Sequence, residues 1–316
     1  MQKWKSDSTT RSILLAYLFA VLLFIIAGFI SPGFDRFGHI GNVLVIASML
    51  GFIGIGQTIV ILTGGIDLSI PYVLNASAVF LTGFTSLYPH HELLVIVLVL
   101  MGGAMIGAIN GIGIAYLNIP PLIMTLGMNS VMEGIVLVYT NGTPTGSAPS
   151  IINFMVNAKW GAVPVDLIVW LIVTVLVSIL LAKTYFGRMV YSVGNSTSAS
   201  FFSGVHIEGT LVSVYTLSGL FSALSGMFLT GFSGYSYLGM GDSYLLPSVA
   251  MVVIGGASIL GGRGKYVGSV AGAIILTVLG TILTVANLPI AFRNILYGLV
   301  ILIALMLYGK NNVAER

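Results

Sequence analysis

An aspartate stands between two long hydrophobic segments, within the run from Gly64 to Ser69 (Gly-Gly-Ile-Asp-Leu-Ser). Asp67 is one of only nine acidic residues in the chain. A charge at membrane depth costs several kcal/mol unless it is paired, capped or hydrated, so it usually marks a working site. A purely structural role for Asp67 is an equally good interpretation. Pro71 suits the first turn of a helix, and Asp67 or Ser69 can cap that helix.

A second acidic residue, Glu133, lies near the middle of another hydrophobic segment. Asn129 and Thr125 precede it at intervals of four residues, so the three side chains share one face of a helix. This polar stripe suits the lining of a path for a hydroxylated solute, because hydroxyl groups need acceptors and amides. It suits hydrogen bonds to a neighbouring helix or to a second copy of the chain equally well. Further candidates for the path are Asp67, Ser69, Asn75 and Asn110.

The composition excludes a soluble enzyme. Of 316 residues, 57% are hydrophobic and 7% are charged, and the mean hydropathy is +1.06. At about 20 residues per membrane span, most of the chain belongs to membrane helices. We therefore expect an all-α polytopic membrane protein, with residues 1–316 forming a single transmembrane domain. The net charge of +3 gives no indication of nucleic acid binding.

The chain shows no sign of a metal, cofactor or catalytic site of its own. It has no cysteine, and its four histidines lie in predicted loops, which argues against a buried metal centre. The run Gly261 to Lys265 looks like a phosphate-binding loop, but Tyr266 follows the lysine where a Walker A motif needs Ser or Thr. Any nucleotide hydrolysis must therefore come from another chain.

Hydrophobic runs separated by Gly, Pro or charge predict ten membrane spans. Their approximate limits are 12–30, 43–63, 70–87, 93–115, 122–140, 164–183, 211–232, 245–260, 267–287 and 290–308. The third and eighth are weak, so we expect broken or re-entrant helices near 64–75 and 245–262. The first is long for a signal peptide and is expected to be retained. Two stripes of small residues are expected to pack helices together: Gly102, Gly103 and Gly107, and Gly268 and Gly272.

The distribution of Lys and Arg predicts the orientation. With ten spans and a cytoplasmic N-terminus, nine of the twelve cations fall inside: Lys3, Lys5, Arg11, Lys183, Arg188, Arg263, Lys265, Lys310 and Arg316. Three fall outside: Arg36, Lys159 and Arg293. Removing either weak span destroys this bias, so both termini are expected in the cytoplasm.

The outer loop, about 141–163, becomes amphipathic after a Gly, Ser and Pro-rich start and is expected to hold a short surface helix.

The loop at about 184–210 is the largest polar segment on the predicted cytoplasmic side. Gly187 is expected to relax the chain as it leaves the sixth span, and residues 194–196 to form a turn. Residues 196–202 are expected to form a short helix, which would present a compact knob to a cytoplasmic partner. The alternative is an ordinary linker, with Arg188 reaching to lipid headgroups.

Four ordered motifs closely resemble the permease subunits of ribose/galactose-type sugar ABC importers. They are the Gly64–Ser69 run, Pro120–Gly127, the loop from Phe186 to Val205, and Val253–Gly264. In that family the short inner helix sits in the ATPase cleft. The resemblance therefore implies that these residues couple the chain to an ATPase: Gly187, Arg188, Gly194, Asn195, Ala199, Ser203, Gly204 and Val205. Two departures are Ile70-Pro71 in place of Val-Gly, and Ser198-Ala199-Ser200 in place of paired alanines.

The resemblance also implies partners and a place in the cell. They are a second permease protomer, identical or paralogous, ATPase subunits that hold Mg-ATP, and a periplasmic sugar-binding protein, all at the bacterial cytoplasmic membrane. Lys159 and Arg293 are candidate docking residues for carboxylates of that binding protein. The expected mechanism is alternating access that moves a monosaccharide. Two alternatives stay open: an ion-coupled carrier that uses Asp67 and Glu133, and branched-chain amino acids as cargo.

Overall fold

The computed structural model describes the backbone of residues 2–30, 37–161 and 163–313, with side chains for 10–29, 38–161 and 163–302. Arg36 and Arg316, and the side chains of Lys3, Lys5 and Lys310, lie outside the described residues. The helices are α1 (Gln2–Ile30), α2 (Phe37–Leu62), α3 (Ile70–Leu87), α4 (Glu92–Ala115), α5 (Pro121–Thr140), α6 (Ser150–Asn157), α7 (Val165–Lys183), α8 (Tyr185–Asn195), α9 (Thr197–Phe202), α10 (Ile207–Ser233), α11 (Leu245–Ile254), α12 (Tyr266–Val285) and α13 (Ile290–Val313). A small antiparallel pair, β1 (Lys159–Trp160) and β2 (Val163–Pro164), precedes α7, and a 3-10 turn (Asp242–Tyr244) precedes α11.

Eight of the described helices are long and apolar enough to cross a membrane: α1 to α5, α7, α10 and α12. The predicted eighth and tenth spans correspond to α11 and α13, whose described apolar stretches, Asp242–Ile254 and Ile290–Leu302, are shorter. With ten residues, α11 is about 15 Å long, roughly half the thickness of a bilayer core. A non-helical turn, residues 255–265, follows it. The all-α polytopic fold is confirmed, and so is the break near 245–262.

The interruption predicted near 64–75 is confined to residues 63–69. From Ile70 onward α3 is continuous, with Pro71 in its first turn, where a missing N–H costs nothing. The two non-helical segments meet at one end of the bundle, where the N–H of Gly262 donates to the carbonyl oxygen of Leu62 at 2.9 Å. We call this the inner end, since it also carries α8 and α9. The opposite, outer end carries α6 and the strand pair.

The centre of the bundle is formed by α2 and α10. Every residue from 47 to 62 is buried, as expected of a helix that is apolar on all sides. Helix α10 packs against α2, α3 and α4, and the rings of Phe52 and Phe228 lie 5.0 Å apart between α2 and α10. By contrast, only three residues of α5 and four of α7 are buried. These two helices lie at the periphery of a single chain.

Glycines bring helix backbones into direct contact. A Cβ on Gly103 would meet Gly219 of α10, and one on Gly107 would meet the same stretch of α10 backbone. A Cβ on Gly102 would have nothing within 4 Å. The predicted packing stripe on α4 is therefore confirmed for Gly103 and Gly107 and is wrong for Gly102. The stripe on α12 is confirmed, because its two glycines lie against backbone carbonyls of the segment 251–255.

Both long loops contain the short helix that was predicted in them. The first N–H groups of α6, at Ser150 and Ile151, donate to the carboxylate of Glu92 at 3.0 and 3.2 Å. Helix α9 is capped by Ser196, whose hydroxyl oxygen accepts from the N–H of Ala199 at 3.2 Å. Because unpaired N–H groups at a helix start need acceptors, these contacts fix where both short helices begin.

One expectation for the inner loop is wrong. Gly187 and Gly194 do not lie in relaxed or turning segments, because both belong to α8. A Cβ on Gly187 would meet the backbone of Leu181, and one on Gly194 would meet the carbonyl of Leu62. These glycines allow close contact between backbones.

Replacing Gly107 by Val should force α4 and α10 apart. Overpacking of this kind costs about 1–3 kcal/mol of stability or more. We expect a clear fall in the unfolding temperature and in monodispersity of the purified chain in detergent. Gly102→Val is the matched control, since it makes the same change on the same helix toward open space. Equal losses in the two variants would contradict the packing assigned to Gly107.

Candidate functional site

Asp67 is 1% exposed and lies in the turn between α2 and α3. Its Oδ1 accepts from the N–H of Ser69 at 2.9 Å and from the Ser69 hydroxyl at 2.6 Å. Its Oδ2 accepts from the hydroxyl of Ser218, on α10, at 2.6 Å. Asn110, on α4, donates to Ser69 Oγ at 2.9 Å. The carboxylate thus closes the turn and ties it directly to α10 and, through Ser69, to α4. This is a structural role, but the predicted cap is wrong, because α3 has no side-chain cap hydrogen bond among the described residues.

The predicted polar stripe of α5 faces the start of α3. Thr125 Oγ1 accepts from the N–H of Leu68 at 3.0 Å, and Asn129 Oδ1 accepts from the N–H of Tyr72 at 3.3 Å. The Tyr72 hydroxyl donates to Glu133 at 3.0 Å. Thr125 is fully buried, whereas Asn129 and Glu133 are half-buried. All three residues of the stripe therefore form hydrogen bonds to the start of α3 or the turn before it. Asn129 and Glu133 also remain partly exposed at the surface.

A segment that sequence analysis did not consider, residues 234–244, covers the start of α3. Asn75 Nδ2 donates to the carbonyl oxygen of Tyr237 at 3.1 Å. Gly241 lies so close to the carbonyl of Pro71 that a Cβ would not fit between them. These contacts place the chain before α11 beside the polar stripe of α5.

The segment brings another carboxylate to this surface. Asp242 is exposed and lies near enough to Tyr72 and Glu133 to interact electrostatically with both. We call the exposed and half-buried group the polar face: Tyr72, Asn129, Glu133, Tyr237 and Asp242. The remaining predicted path residues are buried behind it: Asp67, Ser69, Asn75, Asn110 and Thr125. The sequence did contain a signal that Asp242 belongs to the site. Like Asp67, it directly precedes a weakly predicted membrane span.

At the inner end, α8 is fastened to the last residue of α2 and to the turn 255–265. Gly194 packs against the carbonyl of Leu62, which accepts from Gly262. Asn195 Nδ2 donates to the carbonyl oxygens of Tyr191 at 2.7 Å and Gly262 at 3.4 Å. The Tyr191 hydroxyl donates to the backbone of the same turn at 2.8 Å, and burial raises the pKa of Tyr191 to about 12, so it remains a donor at neutral pH. We call these contacts the inner joint.

Helix α9 projects from the inner joint as an apolar knob. Phe201 and Phe202 are 65% and 86% exposed, with their rings 5.7 Å apart. On the opposite side, the hydroxyls of Ser200 and Ser192 lie 2.8 Å apart and hold α9 to α8. Five predicted coupling residues are exposed: Arg188, Asn195, Ala199, Ser203 and Gly204. Three are not: Gly187 is buried, and Gly194 and Val205 are half-buried.

The two predicted docking residues, both at the outer end, differ in exposure. Lys159 is exposed and lies in β1. Arg293 is half-buried, and its Nε is enclosed without a hydrogen-bond partner among the described residues. It lines a cavity of about 330 Å³ together with threonines of α12. The geometry therefore leaves Lys159 as the more accessible of the two cations.

Comparison with known proteins identifies relatives along nearly the whole chain. A family model described as "Branched-chain amino acid transport system / permease component" matches residues 39–305. The ribose import permease protein of Bacillus subtilis is 35% identical over 298 residues, covering 94% of this chain and 92% of the relative. The fructose import permease protein of Rhizobium meliloti is 34% identical, with coverage of 81% and 74%. The autoinducer 2 import system permease protein of Escherichia coli strain HS is 31% identical, with coverage of 93% and 86%. No solved structure matches the chain.

Asp67→Ala should destabilise the protein, because it leaves an N–H and two hydroxyls without their acceptor inside the bundle. Each unsatisfied buried group costs about 1–3 kcal/mol. Asp67→Asn keeps an acceptor for Ser69 and should be milder. Thermal unfolding in detergent is the measurement, and Asp242→Ala, at an exposed carboxylate, is the control. If Asp67→Ala unfolds at the same temperature as Asp242→Ala, Asp67 does not secure the turn.

Proposed function

From its membership of the branched-chain amino acid transport system / permease component family, we propose that this chain is the membrane subunit of an ATP-driven importer. Its cargo is a monosaccharide or a sugar-like solute, and its mechanism is alternating access. The observation that carries the proposal is the near full-length similarity to permeases named for ribose, fructose and autoinducer 2 import. The relatives are transport subunits, so hydrolysis of Mg-ATP is assigned to a separate ATPase.

The polar face supports the choice of a hydroxylated cargo. The carboxylates of Glu133 and Asp242 are acceptors for hydroxyl groups, and Asn129 offers both a donor and an acceptor. Tyr72 and Tyr237 add hydroxyls and aromatic surface, as expected where a sugar ring passes. Behind them, the buried hydrogen bonds of Asp67 and Thr125 keep the start of α3 in place.

A second copy of the chain completes this path in the proposal. In one chain the polar face is an open surface, because each of its residues is exposed or half-buried. Apolar residues of α5 beside the face are also exposed, such as Leu122 at 52% and Leu126 at 50%. A second permease protomer, identical or paralogous, would cover this surface and turn two open faces into one closed passage.

The inner end supports coupling to an ATPase. The Phe201 and Phe202 knob offers a compact apolar anchor of the kind that dominates binding energy at protein interfaces. From α9, the inner joint leads through Leu62 to the turn of Asp67, and from there to α3 and the polar face. Because each step is a direct backbone or hydrogen-bond contact, displacement of α9 by an ATPase would shift the walls of the path.

The outer end supports docking of a solute-binding protein, with the exposed Lys159 as a contact for its carboxylates and Arg293 in a secondary role. In this proposal the chain lies in the bacterial cytoplasmic membrane with both termini in the cytoplasm. The described cations agree with that orientation, because Arg11, Lys183 and the cations near α8 lie toward the inner end. Only the two docking candidates lie at the outer end among described residues.

The two alternatives are less well supported. An ion-coupled carrier would need Asp67 to exchange ions, but its carboxylate is 1% exposed and accepts three hydrogen bonds. Branched-chain amino acids appear in the description of the family, whereas the relatives reported above are named for sugars and autoinducer 2.

Phe202→Ser should uncouple the importer. Loss of an interface anchor costs about 2 kcal/mol or more, so ATP hydrolysis stimulated by the loaded binding protein should fall at least about tenfold. The assay uses the chain reconstituted in vesicles with its ATPase and binding protein. Phe232→Ser, at the outer end of α10, is the control and should hydrolyse ATP normally. Normal stimulation in the Phe202 variant would refute the coupling role of α9.

Glu133→Gln should slow solute uptake while the complex assembles and hydrolyses ATP normally. The variant keeps an oxygen for Tyr72 but loses a charged acceptor, and hydrogen bonds to charged groups are worth about 1.5–3 kcal/mol. Uptake of labelled solute into vesicles should fall about tenfold. Glu208→Gln, at the start of α10, is the control and should transport at the normal rate. Poor assembly of the Glu133 variant would show that Glu133 serves packing and not the path.

A further inference from the structure

A large cavity lies between the inner ends of α7 and α12. Its volume is about 820 Å³, and α8 and the turn before α12 form its other walls. From α7 it is lined by Ser178, Leu181 and Ala182, and from α12 by Tyr266 and Val267. These residues belong to the last two turns of α7 and the first turn of α12, both of which are apolar and of membrane length. The cavity therefore lies at the depth where acyl chains give way to headgroups.

Three cations surround this cavity: Arg188 from α8, and Arg263 and Lys265 from the turn before α12. All three are exposed, and no carboxylate lines the cavity. In the part of the chain with described side chains, the one ion pair joins His206 and Glu208, outside the cavity. The positive charge of the cavity is thus uncompensated by the described protein.

The polar atoms beside the cations are suited to an anion with oxygen acceptors. Ser192 and Asn195, one turn apart on α8, line the same wall as Arg188 and offer hydroxyl and amide donors. Arginine presents a planar fork of donors that matches phosphate oxygens. On the side of α7 and α12, Leu181 and Val267 supply an apolar surface, and Val267 is 37% exposed.

We propose that this cavity binds an anionic phospholipid, with the phosphate between the three cations and an acyl chain along α7 and α12. Basic pockets between membrane helices near the cytoplasmic surface are suited to such headgroups. An acidic protein surface fits less well, because the cavity opens between two membrane helices and α9 contributes none of its lining. The proposal is independent of the transported solute.

Lipid binding in this cavity would also affect the inner joint. Asn195 and Gly262 line the cavity and also form hydrogen bonds of that joint. A bound phosphate would neutralise the cations on both sides of the contact between α8 and the turn. Anionic lipid is therefore expected to stabilise the inner joint as well as to occupy the cavity.

The test is a lipid titration of the purified chain in neutral detergent, followed by native mass spectrometry. Phosphatidylglycerol should bind at least about tenfold more tightly than phosphatidylcholine. In the variant R263Q/K265Q the affinity for phosphatidylglycerol should fall about tenfold or more, since each cation near an anionic lipid surface contributes roughly 1 kcal/mol, or about fivefold. K183Q removes one charge from the same rim outside the cavity lining and should change the affinity less than twofold. If the double variant is not monodisperse, K265Q alone should weaken binding at least threefold.

Several results would overturn the proposal. They are equal binding of the two lipids, an equal loss in K183Q, and displacement of phosphatidylglycerol by millimolar inorganic phosphate, which would indicate a small-anion site. Unchanged lipid binding in R263Q/K265Q together with loss of the ATPase from the complex would assign the cations to a protein interface. None of these outcomes bears on Phe202 or Glu133, so the transport proposal stands or falls separately.

Discussion

The structure depends on how it satisfies the polar backbone groups of a broken helix inside an apolar bundle. Water is absent at that depth, so each free N–H of α3 must find an acceptor within the protein. In the turn before α3, Asp67 accepts from the N–H and the hydroxyl of Ser69, and Thr125 accepts from the N–H of Leu68. In the first turn of α3, Asn129 accepts from the N–H of Tyr72. A residue that looks like an ion site in the sequence is therefore first a structural acceptor. The polar face is the part of this hydrogen-bond system that remains open.

The same constraint explains the inner end. Turns 63–69 and 255–265 each interrupt a helix, and each exposes backbone groups that need partners. They satisfy one another and α8 through Leu62, Gly262 and Asn195, and glycines make the close approach possible. Because these contacts join backbones without long side chains between them, the inner joint is expected to move as one unit. This gives α9 a short mechanical route to α3.

Charge is distributed so that few ionised groups are paired. Carboxylates occur in the turn before α3, on α5 and before α11, whereas most described cations lie at the inner end. Separated charges of this kind suit different partners: acceptors for a hydroxylated solute at the polar face, and cations for anionic lipid at the inner rim. Ion pairs at a solvated surface contribute little to protein stability. Leaving these carboxylates and cations unpaired therefore costs the fold little.

Local pattern was enough to predict where the apolar helices lie, that the chain is interrupted near 64 and near 245–262, the two short loop helices and the family. These features follow from hydrophobic runs, capping residues and ordered motifs, all of which are read from neighbouring residues. The same pattern extended the first interruption too far, because α3 is continuous from Ile70. Only the tertiary structure determines which distant residues hydrogen-bond to each other. Asp67 meets Ser218 across 151 positions of sequence, Tyr72 meets Glu133 across 61, and Asn195 meets Gly262 across 67. No local signal encodes such pairings, so the buried role of Asp67, the place of Gly187 and Gly194 inside α8, the arrival of Asp242 beside Glu133 and the basic cavity emerge only when the helices pack.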